Sequence, residues 1–119
     1  MLTQFVNKIG LGKSKERLAK RHLTEQGLTF VEQNFYCRYG EIDLIFLDAK
    51  RDFLVFVEVR YRKNNAFGGA AASITAQKQA KVKKSALFYL TQRRINPQFR
   101  FDVVAITGQD INWIQSAFS

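Results

Sequence analysis

Apolar and polar positions alternate most tellingly between Gly40 and Arg60. Gly40-Glu41-Ile42-Asp43-Leu44-Ile45-Phe46-Leu47 is followed by a polar break, Asp48-Ala49-Lys50-Arg51-Asp52. Phe53-Leu54-Val55-Phe56-Val57-Glu58-Val59-Arg60 then resumes the apolar run. Both halves are rich in Val, Ile, Leu and Phe, which suits strands, and so short a break predicts a β-hairpin. Folding about a midpoint between Lys50 and Arg51 sets Asp43 opposite Glu58, Ile45 opposite Phe56 and Leu47 opposite Leu54. With a side-chain period of two, these six share a face, and Arg60 lies beside them.

Upstream the period changes. Leu18, Ala19, His22 and Leu23 recur at helical spacing, which predicts a helix from a Ser14 cap to about Gln26, stopped by Gly27. Leu2, Phe5, Val6 and Ile9 predict a short amphipathic segment before it, packing back on the domain. Gly10-Leu11-Gly12 should break that segment, leaving 1–12 as an N-terminal appendage. Leu28 to about Phe35 reads as a first strand with an irregularity at Asn34, and 37–40 turns into the hairpin. The basic, Asn- and Gly-containing stretch 61–69 reads as a loop. A second helix follows, from Ser73 or Thr75 to about Arg93, with Val82, Ala86, Tyr89 and Leu90 inward. Strands at Phe99–Thr107 and, after Gly108-Gln109-Asp110, Ile111–Phe118 complete the chain. The order is helix, three strands, helix, strand, small strand, which predicts an α/β fold with a mixed sheet flanked by helices.

Length and composition narrow the class. The 119 residues suffice for one domain, and 46% are apolar, enough for a core. No run of about 20 apolar residues could span a membrane. The N-terminus has no signal-peptide pattern, so a cytoplasmic protein with no membrane partner is expected. One cysteine, Cys37, rules out an intrachain disulfide framework and a cysteine-based zinc cluster. It reads as an ordinary strand residue. His22 is the only histidine, so no two-histidine metal site can form. The net charge of +9 favours an anionic partner, nucleic acid or an acidic surface.

The chemistry lies in the misplaced acids. Glu41, Asp43 and Glu58 occupy strands, where desolvating a lone carboxylate costs several kcal/mol or forces it to neutralise. Asp43 facing Glu58 repels it unless a cation lies between them, and oxygen-only ligands favour Mg²⁺ or Mn²⁺ over zinc. An ion pair of Arg60 with Glu58 or Asp43 is the plainer reading. Glu16 extends the inward stripe of the first helix by a turn. It is either a first-turn acid complementing the helix dipole or a third carboxylate aimed at the pair. Arg38 in the 37–40 turn, Arg62 and Lys63 in the loop, and Lys78 and Lys81 on the second helix are candidate nucleic-acid contacts.

Gly40-Glu41-Ile42-Asp43-Leu44-Ile45, Val55-Phe56-Val57-Glu58-Val59-Arg60, Phe67-Gly68-Gly69-Ala70 and Arg100-Phe101-Asp102-Val103-Val104 together resemble the bacterial YraN-like family, over nearly the whole chain. That family is similar to the restriction-endonuclease-like superfamily, whose pattern is PD-(D/E)xK and whose core order is αβββαβ. Its nearest functional relatives are Holliday-junction resolvases, which act as symmetric dimers. The resemblance implies a metal-dependent endonuclease acting on structured or branched DNA. Asp43 and Glu58 would be the metal-binding acids, Glu16 the helix acid, and Mg²⁺ or Mn²⁺ the cofactor. The chain departs from the pattern where Arg60 stands at the lysine. Arginine stays protonated and cannot be a base, although it can hold a phosphate. Lys78 is a conceivable migrated lysine, and its plainer reading is a surface residue. Two further readings stay open: a nucleic-acid-binding module without catalysis, and an interaction protein using its basic surface.

Overall fold

The computed structural model describes residues 2–119 in backbone, and their side chains except those of 2–11 and Phe67. Helix α1 spans Leu2–Glu25. Strands β1, β2 and β3 cover Thr29–Cys37, Gly40–Asp48 and Phe53–Arg62. Helix α2 is Ala76–Arg93, and strands β4 and β5 are Gln98–Thr107 and Asp110–Phe118. The sheet order follows the chain, β1-β2-β3-β4-β5. All neighbours are antiparallel except β3 and β4, which run parallel because α2 carries the chain back between them. The expected αβββαβ order is found, with β5 added at the edge.

Two apolar clusters fill the two faces of the sheet. On one, Ala19 and Leu23 of α1 meet Leu44, Phe46, Val55 and Val57. On the other, Val82, Ala86, Tyr89 and Leu90 of α2 meet Ile42, Ile45, Leu54 and Phe56. Strands covered on both faces read as near-continuous apolar runs, which is why β2 and β3 stood out. Each large side chain so buried contributes about 1.5–3 kcal/mol. The hairpin register is the expected one: Ile45 faces Phe56 and Leu47 faces Leu54. Asn34 is irregular as expected, with φ 54°.

The first helix differs from its expected form. α1 runs unbroken through Gly10-Leu11-Gly12, and Ser14 lies inside it rather than capping it. A glycine costs a helix interior only about 1 kcal/mol relative to alanine, and the flanking residues are compatible with helix. The expected packing of Leu2, Phe5, Val6 and Ile9 falls on side chains outside the described set. The stop at Gly27 is found. Its φ is 100°, and Gly27 N–H and Leu28 N–H close the end on the Thr24 and Leu23 carbonyls. α2 starts at Ala76, where the Thr75 hydroxyl accepts from Lys78 N–H at 3.1 Å. Among the described residues, no helix is long and apolar enough to cross a membrane.

Candidate functional site

The β2–β3 ladder opens just past the Leu44↔Val57 pair. At the next position Asp43 Oδ2 accepts from Val59 N–H at 2.8 Å, so a side chain takes over from the backbone. β2 also leaves strict alternation here: Ile42 and Ile45 both pack on the α2 side, while Leu44 packs on the α1 side. Asn34, with its positive φ, and Asp43 lie between the β1–β2 pairs Gln33↔Leu44 and Phe35↔Ile42. The sheet therefore forks at Asp43, and a cleft of about 290 Å³ opens in the fork. Glu16 of α1, Asp43, Glu58 and Arg60 of the hairpin, Arg62 and Lys78 of α2 line it.

Three carboxylates, Glu16, Asp43 and Glu58, line this cleft, and Glu41 adjoins them. One oxygen from each of Glu16, Glu41 and Asp43 lies within 4.8 Å of the others. Asn34, with its amide nitrogen turned toward them, donates to Glu16 Oε2 and Glu41 Oε1, both at 3.2 Å. Glu58 is 2% exposed; its Oε2 lies 3.9 Å from Lys78 Nζ, and its Oε1 has no partner among the described residues. Burial pushes Glu58 from 4.5 to about 7, with Lys78 and then Arg60 pulling it down and Glu41 and Glu16 adding to the rise. Burial, then repulsion from Glu58, raises Asp43 well above the usual aspartate range, against the Val59 hydrogen bond. Glu16 is raised too, by burial first and by Glu41 second. Carboxylates held this way favour gaining a proton or a cation.

Arg60 forms no ion pair with Asp43 or Glu58 among the described residues. Its Nε donates to Ser73 Oγ at 2.8 Å, and that hydroxyl donates to the Ala70 carbonyl at 2.6 Å. Two 3-10 turns, Ala66–Gly68 and Ala71–Ser73, bring Ser73 there. Gly68 and Gly69 make the turns possible. Their φ values are 89° and 73°, and a Cβ on them would stand 2.7 Å from Ala72 Cβ and 2.9 Å from Asn65 Oδ1.

The fork thus gathers Glu16, Asp43, Glu58, Arg60, Arg62 and Lys78. Glu16 is not a first-turn acid, because α1 begins at Leu2. Lys78 is not simply a surface residue, since it reaches the buried Glu58. Lys63 lines a neighbouring hollow with Ser73. Arg38 lies in the β1–β2 turn, donating to the Tyr39 hydroxyl at 2.8 Å. Lys81 is exposed on α2, against Gly40. Sequence reasoning flagged Glu41 as a misplaced acid without assigning it to the cluster, and it missed Asn34 and Ser73. The two-residue spacing of Glu41 and Asp43 was the available signal for Glu41. The close donor set of Glu16, Glu41 and Asp43 is all carboxylate oxygen, and the neighbouring Glu58 keeps one oxygen buried without a partner among the described residues. The set fits a hard divalent cation such as Mg²⁺ or Mn²⁺.

The Arg100-Phe101-Asp102 run serves the opposite end of the sheet. Arg100 Nε binds Asp102 at 3.0 Å, and its Nη1 binds Asp48 at 2.8 Å. Asp102 also accepts from Trp113 Nε1 and Ser116 N–H, both at 2.9 Å. This network fastens β4 to β2 and to β5.

A mixed five-stranded sheet between two helices, forked around a carboxylate cleft, defines the class of protein. The chain belongs to the family described as "Uncharacterised protein family UPF0102", which it matches over residues 15–106. It is 50% identical over 114 residues to a UPF0102 protein of Vibrio campbellii, covering 92% of each chain. It is 49% identical over 113 residues to UPF0102 protein VP0448 of Vibrio parahaemolyticus, again over 92% of each. With a UPF0102 protein of Psychromonas ingrahamii the identity is 48% over 119 residues, covering 98% of this chain and 94% of the relative.

Proposed function

We propose that this protein binds nucleic acid through its basic surface and hydrolyses phosphodiesters of structured DNA at the forked cleft. The observation that carries the reading is Glu58. It is a buried carboxylate with an unpartnered oxygen, beside Asp43 on one side and Lys78 Nζ on the other. Acid, acid and lysine then meet, with the lysine supplied by α2 instead of β3. This supports kinship with the PD-(D/E)xK pattern despite Arg60.

Asp43 and Glu58 would hold Mg²⁺ or Mn²⁺, with Glu16 and Glu41 flanking it. When bound, the cation supplies Lewis-acid activation of water and of the phosphate. Lys78 holds Glu58 in place and offsets part of its charge. Arg60, fixed through Nε by Ser73, presents its terminal nitrogens to a phosphate and neutralises charge developing there. Arg62 extends that positive rim, and Asn34 keeps Glu16 and Glu41 together. A second reading, binding without cleavage, is favoured by Arg60 at the lysine position, because arginine cannot take a proton from water.

The test is a cleavage panel of branched, nicked, single-stranded and duplex DNA with Mg²⁺ or Mn²⁺. Wild type should cut at least one branched substrate, and Asp43→Ala and Glu58→Ala should bind it without cutting. No cleavage with any metal would move the binding-module reading to first place. Cleavage surviving both substitutions would remove the enzyme reading altogether.

A further inference from the structure

A second hollow, of about 490 Å³, lies on the outer side of α2 and is lined by Tyr39, Lys84, Leu87, Phe88 and Thr91. Its walls are apolar and its rim is basic. Leu87 is 56% exposed, and no described side chain covers it. Tyr39 and Phe88 meet edge to face at 6.1 Å, so both rings are held. The Arg38 guanidinium lies 4.9 Å from the centre of the Tyr39 ring and binds its hydroxyl.

Helix α2 connects this hollow to the cleft, contributing Lys78 to the one and Lys84 and Phe88 to the other. Lys78, Lys81, Lys84 and Phe88 follow one another three or four residues apart, a single stripe on α2. The β1–β2 turn closes against that stripe: a Cβ at Gly40 would be 3.9 Å from Lys81 Cβ and 3.6 Å from Ser85 Oγ. The path from Lys78 to Phe88 rises about 15 Å along the helix, close to four stacked nucleotides.

We propose that the Tyr39–Leu87–Phe88 hollow takes an unpaired base of a single strand that leaves the carboxylate cleft along α2. Charge complementarity selects this occupant. Arg38 and Lys84 flank the rings, Lys81 and Lys78 continue the positive track, and no acidic residue lines the hollow among the described residues. A second copy of the chain would bring the same lysines and the same +9 charge against them. A base presents a π-face to the rings and a phosphate to the lysines, the pairing that single-strand binders use. The inference rests on the nucleic-acid reading above and gives it a substrate class: DNA with a single-stranded arm.

The experiment compares a short single strand carrying 2-aminopurine with a duplex of the same length, at low salt, by anisotropy and by 2-aminopurine fluorescence. Wild type should bind both and quench the 2-aminopurine. Leu87→Glu, at an exposed position that should not disturb folding, and Tyr39→Ala should each weaken single-strand binding about tenfold and remove the quench. Duplex affinity should fall much less, staying within about twofold of wild type in Tyr39→Ala and dropping only a few-fold in Leu87→Glu, whose new charge lies beside Lys84. Tyr39→Trp should keep the quench. Equal losses on both substrates, or quenching unchanged in Leu87→Glu and Tyr39→Ala, overturns the stacking site while leaving nucleic-acid binding in place. Wild type binding neither substrate overturns the nucleic-acid reading, and this inference with it. If Leu87→Glu instead turns a dimer into a monomer with single-strand binding unchanged, the hollow is a self-association face and the inference fails.

Discussion

Glu58 and Asp43 hold opposed demands: the fold buries the first and half-buries the second, and burial disfavours their charge. Their folded pKa values lie above the unfolded ones, so between the two the folded state binds more protons. Stability then falls as pH rises through that window, which for Glu58 runs from 4.5 to about 7. At 1.4 kcal/mol per pKa unit, the loss from Glu58 alone is about 3 kcal/mol. Asp48 acts in the opposite sense, because the Arg100 hydrogen bond lowers its pKa, and its contribution is lost on acidification below its ordinary 3.8. Metal-free protein should therefore melt several degrees higher at pH 5 than at pH 8, and Mn²⁺ at pH 8 should recover much of the difference. Glu58→Gln should flatten the profile between pH 5 and 8. A melting temperature that rises steadily across that range would contradict burial of these acids without a compensating cation. The hairpin register as far as the Leu44↔Val57 pair was legible from the midpoint, since a tight polar break leaves few registers. The grouping of Glu41 with Glu16 was not, because it depends on Asn34 adopting a positive φ and turning its amide between helix and strand.

The strands, their order along the chain and α2 were legible, most clearly β2, β3 and β4 from their continuous apolar runs and α2 from its three-and-four stripe. α1 was legible only in part. Two glycines read as a break, yet their cost of about 1 kcal/mol each does not stop a helix. The role of Arg100 and Asp102 was hidden for another reason. Their partner Asp48 is 52 residues from Arg100, and only the fold brings the two together. Arg100→Ala would leave Asp102, which is 0% exposed, without its cation and release Asp48 as well. Removing one partner of a buried pair costs about 3–5 kcal/mol. The urea midpoint, followed by fluorescence of Trp113, the only tryptophan, should fall accordingly. Thr75→Ala, which removes only the α2 cap, should cost about 1 kcal/mol. Equal effects of the two substitutions would mean that the network does not fasten the strands together.

At the scale of the whole molecule, a +9 chain carries four carboxylates at one fork and presents lysine and arginine around it. Under the proposed function, attraction of a polyanion and repulsion at the fork compete, and a divalent cation would settle the competition. Binding should weaken steeply with salt, and Lys78→Ala with Lys81→Ala should reduce the logarithmic slope by about 2, close to 0.9 for each duplex phosphate contact. Asp43→Ala removes a negative charge from the fork, so without metal it should bind DNA as tightly as wild type or more tightly. With Mg²⁺ or Mn²⁺ it should not cut. Arg60→Lys decides which cation the chemistry needs. If Lys78 serves as the lysine of the site, Lys78→Ala should abolish cutting, and Arg60→Lys should leave it within about tenfold of wild type. If the site lost its catalytic group, wild type cuts nothing and cutting appears only in Arg60→Lys. The two outcomes exclude each other, and a time course of wild type, Lys78→Ala and Arg60→Lys on one branched substrate separates them. Cutting by all three at the same rate would show that neither cation takes part in the rate-limiting step, and Lys78 would then be no more than the ion-pair partner of Glu58.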